Sequence, residues 1–165
     1  MFRLVEDFLS EWNYESERTL TLLSKLEDDS LNIQVHPKIR TIKNLSWHIV
    51  STPNEMLERA GLKMTGIDHE APAPETIKEI LDSYLIAIEQ VKLHVPEWTD
   101  ADLLEKVNMY GEEWRKGTVL NVLIKHQAHH RGELLMLMRI NNLPVIGVYG
   151  PTFEEWQKMG MEPMV

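Results

Sequence analysis

Three histidines lie within five residues of one another in the stretch LIKHQAHHRGELLMLMR, which runs from Leu123 to Arg139. The apolar residues around them recur at the three-and-four spacing of an amphipathic helix. His126 and His130 fall on the apolar stripe of that helix, together with Val119, Leu123, Leu134 and Leu137. Their β-carbons are therefore expected to lie roughly 5–6 Å apart on one face, close enough for both imidazoles to reach a single metal ion.

Two interpretations of this histidine pair remain open on the sequence. Buried histidines are often ordinary core residues whose ring nitrogens are hydrogen-bonded. Two of them side by side, however, need partners for four ring nitrogens, which favours a ligand role more than one histidine would. His129 lies to the side of the stripe, so we expect it to pair with His126 less well than His130 does. Its role stays open.

A third ligand must come from another helix, and His48 is the candidate. It lies midway along the segment NLSWHIVSTPNEML, three residues after Leu45 and beside Ile49, at the edge of an apolar face. His36, His69 and His94 stand next to prolines or in loops, and we predict that they are surface residues.

The composition narrows the kinds of site and the classes of function. The 165 residues include no cysteine, so a metal site must use His, Asp, Glu and water, and disulfides are excluded. The formal net charge is −9, and the bases are scattered singly, which argues against nucleic-acid binding and against anionic membrane surfaces. No apolar run approaches the ~18–20 residues of a membrane span, and the N-terminus lacks the pattern of a secretory signal. We therefore predict a cytoplasmic protein.

Helical periodicity dominates the rest of the chain and predicts the elements that position these histidines. One helix starts near Val5, and a second spans about 40–60, where Pro53 should kink it or start it afresh. Pro74 is placed to open a third helix that Pro96 ends. An extended hairpin turning near Gly111 precedes the last long helix, 118–140, and a short helix follows Pro151. The sequence predicts one all-α domain over 1–165: an up-down four-helix bundle with a hairpin excursion before the fourth long helix and a short C-terminal helix.

These features together resemble the DinB-like superfamily of metal-binding four-helix bundles. The resemblance is carried by H-x-x-x-H-R-G-E-L at His126–Leu134, by L-x-x-H-I at Leu45–Ile49, and by R-x-x-x-L-P-x-x-x-V-Y-G at Arg139–Gly150. It extends over essentially the whole chain. The sequence departs from the family at Glu133, where glutamine is common, and this change adds negative charge near the motif.

The resemblance implies a divalent metal, zinc or nickel, held by His48, His126 and His130, and a homodimer. It also implies thiol-dependent transfer or isomerisation with a low-molecular-weight thiol, although many members have no assigned reaction. Three neutral imidazoles leave a coordination position open, and such an ion lowers the pKa of water or of a thiol. We therefore expect a metal-dependent thiol transferase or hydrolase acting on a small electrophile. The alternative is a non-catalytic, metal-binding dimeric bundle with a structural role in stress response.

The sequence offers few residues for acid–base chemistry beside that site. Glu55, seven residues after His48, is a candidate base or extra ligand, or else a solvated helix acid. Arg131 is the other catalytic candidate. Arg131 and Glu133 either orient the imidazoles or form an ordinary surface pair. Trp47, Tyr110 and Trp114 either roof a substrate pocket or fill the core.

Overall fold

The computed structural model describes residues 1–163, which fold into five α-helices and one small sheet. Two antiparallel strands form the sheet, and short 3-10 turns connect several of the elements. The elements in chain order are α1 (Val5–Leu23), α2 (Ile42–Arg59), α3 (Ile77–His94), β1 (Lys106–Met109), β2 (Glu112–Arg115), α4 (Lys116–Ile140) and α5 (Phe153–Lys158).

The four long helices enclose the apolar core. Helix α2 packs against α3 and α4, while α1 packs against α4 and α3. Large, fully buried side chains of the core include Phe8 and Trp12 of α1, Ile49 of α2 and Tyr84 of α3. Leu123 and Leu134 of α4 meet this core on the same face as His130. Burial of the apolar stripe thus fixes which side of α4 turns inward.

The predicted all-α class is correct only in its coarse sense, because the chain is mostly helical but contains a sheet. Strands β1 and β2 pair from Lys106 with Arg115 to Met109 with Glu112. The turn between them is Tyr110–Gly111, and both residues have positive φ, 57° and 89°. Such a two-residue turn matches the twist of a hairpin, which explains the predicted turn at Gly111. The prediction of one domain over 1–165 stays a prediction, and 164–165 lie outside the described residues.

The sequence predicted that Pro53 would either kink the second helix or start it afresh. Helix α2 runs continuously through Pro53, so the predicted fresh start is wrong. Proline has no amide hydrogen, so the carbonyl of Ile49 loses its usual helical donor. The side-chain amide of Gln127 in α4 replaces it, with Nε2 donating to that carbonyl at 2.8 Å. The same side chain accepts a hydrogen bond from Tyr84. Gln127, the residue after His126, therefore links α4 to both α2 and α3 by hydrogen bonds.

The predicted start of α3 is wrong by a few residues. The helix begins at Ile77, and Thr76 and Glu79 form a reciprocal capping box. Because these side chains satisfy the first free backbone amides, Pro74 lies before the helix and does not open it. Within residues 1–163 no helix combines the length and apolar content needed to cross a membrane.

Candidate metal centre

The structure brings His48 of α2 together with His126 and His130 of α4. The Nε2 atom of His130 lies 3.1 Å from Nε2 of His48 and 3.1 Å from Nε2 of His126. The three rings meet edge to face, with centroids 4.3–4.9 Å apart. His130 is only 8% exposed, whereas His48 and His126 are half-buried. The cluster therefore lies at the edge of the core and is open on one side.

The spacing of the nitrogens fits a single divalent ion. Ligands held about 2.0–2.1 Å from one ion, at angles between octahedral and tetrahedral, lie about 2.8–3.4 Å from each other. The two separations of 3.1 Å fall within that range. One ligand atom from each of the three histidines lies within 4.8 Å of the others. The donor set thus fits a zinc or nickel ion, while the ligand role of these residues remains a prediction.

Hydrogen bonding alone accounts poorly for this convergence. Nδ1 of His130 donates to the Oε2 atom of Glu133 at 2.6 Å, so a neutral His130 carries its lone pair on Nε2. His48 and His126 would then both have to donate to that one lone pair. One lone pair accepts one such bond well but not two, so an ion shared by the three Nε2 atoms explains their convergence better. Nδ1 of His126 is buried without a hydrogen-bond partner among the described residues, and an ion on Nε2 would leave it so.

The local environment keeps the imidazoles of His48 and His126 neutral, as metal ligation requires. Burial, aided by the positive charge of Arg40, lowers the pKa of His48 to about 4. Burial also lowers the pKa of His126 to about 4, with help from His130 and His129. At neutral pH both rings therefore offer a free lone pair.

Glu133 is the carboxylate that contacts the cluster. Burial raises its pKa, but the hydrogen bond from His130 and nearby positive charges outweigh this and bring the pKa below its ordinary value. The other oxygen of the carboxylate lies 3.4 Å from Nε2 of His129. Glu133 therefore fixes the ring of His130 from the side opposite the cluster, as carboxylates do for histidine ligands. His129 is largely exposed and lies outside the three-histidine cluster.

Arg131 is buried on a different side of α4, and neither predicted role describes it. Its guanidinium donates to the carboxylate and the backbone carbonyl of Glu15 and to the hydroxyl of Thr19, both in α1. The hydroxyl of Tyr149 also accepts from it, at 2.6 Å. Arg131 is 1% exposed and Glu15 4%. Arg131 therefore neither orients the imidazoles nor pairs with Glu133 at the surface.

Glu55 lies at the other end of α2, beside the hairpin. Its carboxylate accepts a hydrogen bond from Tyr110 at 3.1 Å, and Arg59 lies 3.8 Å away. Seven residues of helix separate Glu55 from His48, a rise of about 10 Å. The structure thus places the candidate base two helical turns from the nearest imidazole.

The three aromatic residues predicted to roof a pocket lie in two different places. Trp47 is partly buried and donates to the carbonyl of Ala71 at 3.0 Å, so it covers the loop before α3. Tyr110 is half-exposed at the tip of the hairpin, and its ring lies 6.0 Å from that of Trp114. These side chains hold the connecting segments against the helices.

The remaining histidines lie apart from the cluster. His36 is exposed and accepts a hydrogen bond from the amide of Lys38. His69 and His94 are half-buried, each beside a glutamate, Glu58 at 3.6 Å and Glu97 at 2.6 Å. The prediction that all three are surface residues therefore holds fully only for His36.

Comparison with known proteins gives one consistent family. A sequence model of the DinB family matches residues 1–163. The chain is 36% identical over 163 residues to the uncharacterized protein YrdA of Bacillus subtilis, and the match covers 98% of each. A crystal structure of a DinB-like protein from Bacillus cereus superposes with a TM-score of 0.80 at 36% identity, covering 90% of this chain and all of that one.

A second solved structure is similar in fold alone. The DinB-like protein YjoA of Bacillus subtilis superposes with a TM-score of 0.64 at 14% identity, covering 88% of this chain and 99% of that one. The family model and the match to YrdA thus extend over nearly the whole chain, and the two solved structures share its fold. The chain belongs to the DinB family.

Proposed function

We propose that this chain binds a divalent metal ion, zinc or nickel, through His48, His126 and His130, and uses it on a small electrophile by thiol transfer or hydrolysis. The observation that carries the proposal is the convergence of three Nε2 atoms at the edge of the core, two of them 3.1 Å from the third. The four long helices, arranged as an up-down bundle in a single domain, would provide the rigid frame.

The ion would supply Lewis-acid chemistry, lowering the pKa of a water molecule or a thiol. The protein residues supply its environment. Neutral His48 and His126 leave the ion's charge uncompensated, and Glu133 holds the third imidazole in one orientation through Nδ1. Since the chain has no cysteine, a thiol must enter as a low-molecular-weight cosubstrate. Nitrogen ligands suit both zinc and nickel, so geometry and supply would select the metal.

Of the two catalytic candidates, only Glu55 is retained. Its carboxylate is a quarter exposed, but it lies two helical turns from His48, so it would act only on a part of the substrate that extends from the metal toward the hairpin. Arg131 is excluded from the proposed chemistry because its guanidinium is buried against Glu15 and Thr19. A substrate or a thiol held by Arg131 would have to break that pair.

A second candidate function has its own observation. The candidate base Glu55 is already hydrogen-bonded to Tyr110, and Glu133, the carboxylate that contacts the cluster, is hydrogen-bonded to His130. A non-catalytic metal-binding protein, dimeric and cytoplasmic and acting in stress response, needs no free base. In that case the ion would stabilise the fold by binding only the native state.

Metal content and turnover separate these alternatives. The chain is purified without a histidine tag, its metal is quantified, and a panel of electrophiles is assayed with and without thiols. His126→Ala is compared with His129→Ala, which changes a neighbouring exposed histidine. The enzyme proposal predicts that only His126→Ala removes both metal and turnover. Metal-loaded protein that is inert toward the panel, yet loses its dimer or melts earlier on chelation, supports the non-catalytic function. A chain that takes up neither zinc nor nickel contradicts both.

A further inference from the structure

A cavity of about 490 Å³ lies between the segment before α2 and the last two turns of α4. Its walls are mostly apolar and include Ile39, Met136, Leu137 and Ile140. Ile39, Met136 and Ile140 are 44%, 61% and 59% exposed, so three large apolar side chains are exposed together around the cavity. The volume falls within the range of small-molecule sites.

The cavity adjoins the three-histidine cluster. Glu133 lines it and at the same time accepts the hydrogen bond from His130. Leu45, which also lines it, lies one helical turn before His48. A molecule in the cavity would therefore have one end next to the candidate metal centre.

Two positively charged side chains line the cavity, whereas the chain as a whole is negatively charged. These are Lys38 and Arg40, and the net charge of the chain is −9. Among residues 1–163 neither makes a side-chain ion pair within 4.0 Å. Arg40 lies close enough to the histidines to lower the pKa of His48 and of His126. An unpaired guanidinium beside apolar walls matches a carboxylate on an apolar body.

We propose that this cavity is the substrate subsite of the metal centre and takes a small amphipathic monoanion, its carboxylate on Arg40 and Lys38 and its apolar chain or ring on Met136, Leu137 and Ile140. The proposal rests on the proposed function in naming the substrate class of the same site. Binding of such a molecule, however, needs only the cavity and its cations. It can therefore be measured apart from metal and turnover.

Octanoate is the probe, and its binding is followed by NMR shift changes of backbone amides in metal-free and zinc-loaded protein. Acetate tests the need for the apolar chain, and 1-octanol tests the need for the charge. Arg40→Gln is compared with Arg3→Gln, the same change outside the cavity. Ile140→Glu is compared with Leu93→Glu, since Leu93 is similarly exposed, at 64%, and lies outside the cavity.

The proposal predicts that octanoate shifts amides lining the cavity and binds at least about tenfold more tightly than acetate or 1-octanol. Arg40→Gln and Ile140→Glu should each weaken octanoate by about tenfold or more, with metal content unchanged, and both control variants should bind as the wild type does. Octanoate binding that Arg40→Gln leaves unchanged would overturn it. So would absent octanoate binding in a dimer that Ile140→Glu dissociates, which would assign this face to a second copy of the chain.

The same experiment separates this inference from the proposed function. Metal uptake without octanoate binding would remove the subsite and leave the metal centre. Octanoate binding by a chain that takes up no metal would sustain the subsite as a binding site and remove the metal-dependent chemistry.

Discussion

Consecutive residues of α4 belong to two polar clusters of opposite design. His130 joins His48 and His126 on the side of α2, whereas Arg131 joins Glu15 on the side of α1. One residue of helix is a rotation of about 100°, enough to direct neighbours toward different helices. The arginine cluster combines opposite charges. The histidine cluster combines three like groups.

The two clusters differ in whether their polar atoms find hydrogen-bond partners within the cluster. The guanidinium of Arg131 has three acceptor residues, and Tyr149 donates its hydroxyl hydrogen to Glu15 at 2.7 Å. Burial raises the pKa of Tyr149 to about 12, so that donor persists at neutral pH. The three imidazoles, by contrast, direct their Nε2 atoms at one another. A buried polar network whose members are all satisfied makes a fold rigid, while a cluster left unsatisfied is a candidate binding site.

The largest expected effect comes from breaking the arginine cluster. Arg131→Met leaves the carboxylate of Glu15 buried without its partner, which typically costs about 3–5 kcal/mol. Urea unfolding of metal-free protein measures the loss. Lys78→Met, at the exposed pair with Asp82, is the control and should leave the unfolding midpoint nearly unchanged. If Arg131→Met lowers the unfolding free energy by less than about 1 kcal/mol, the buried pair of Arg131 and Glu15 contributes no more to stability than an exposed ion pair does.

His126→Ala tests the histidine cluster, where we expect a large loss of zinc affinity and only a small loss of stability. We expect zinc affinity to fall by more than the roughly 100-fold that loss of an outer partner costs, because a ligand itself is removed. The metal-free stability should change far less than in Arg131→Met, because the ring of His126 is half-buried and its Nδ1 makes no hydrogen bond within residues 1–163. Competition with a chromophoric chelator measures the affinity. If His129→Ala produces the same loss, the ion is held elsewhere.

Glu133 provides a further test of the histidine cluster, because its carboxylate contacts Nδ1 of His130, on the side of that ring away from the other two histidines. Glu133→Ala removes the acceptor for Nδ1 of His130, and zinc affinity should fall roughly 10–100-fold. Glu133→Gln keeps an acceptor oxygen and should lose less. The same chelator competition distinguishes the two variants, and equal affinities for wild type, Ala and Gln would show that the carboxylate does not support the metal site.

The smallest effect is expected at the edge of the arginine cluster. Tyr149→Phe removes one donor to Glu15 and one acceptor of Arg131, and should cost about 0.5–1.5 kcal/mol in unfolding free energy without changing zinc affinity. Tyr14→Phe is the matched control, since its hydroxyl makes one exposed bond to the carbonyl of Val148. A change in zinc affinity with Tyr149→Phe would mean that the two clusters are coupled through α4.

The histidine cluster was predictable from sequence because its signal is local. The i,i+4 spacing and the apolar stripe direct His126 and His130 inward, and the family motif adds His48. The helices were predictable for the same reason. The capping box of Thr76 and Glu79, which moves the start of α3 past Pro74, was a readable signal that the emphasis on proline missed.

The arginine cluster was not predictable, because its partners are distant in sequence. Glu15 lies 116 residues before Arg131 in the sequence. Nothing in the residues around Arg131 indicates that its side chain is buried. The same holds for Gln127, whose amide caps the carbonyl freed by Pro53 in another helix. Arg40 likewise gains its position beside the histidines only when the segment before α2 folds against α4. Such contacts follow from packing between helices, which periodicity within one helix does not encode.

The most direct test is X-ray absorption at the metal edge, on protein prepared without a tag and loaded with one equivalent of zinc, with the His126→Ala variant alongside. The account predicts one ion per chain with three imidazole nitrogens at about 2.0–2.1 Å, and loss of that signal in the variant. Protein that retains no zinc, or zinc whose ligands are unchanged in His126→Ala, would contradict it.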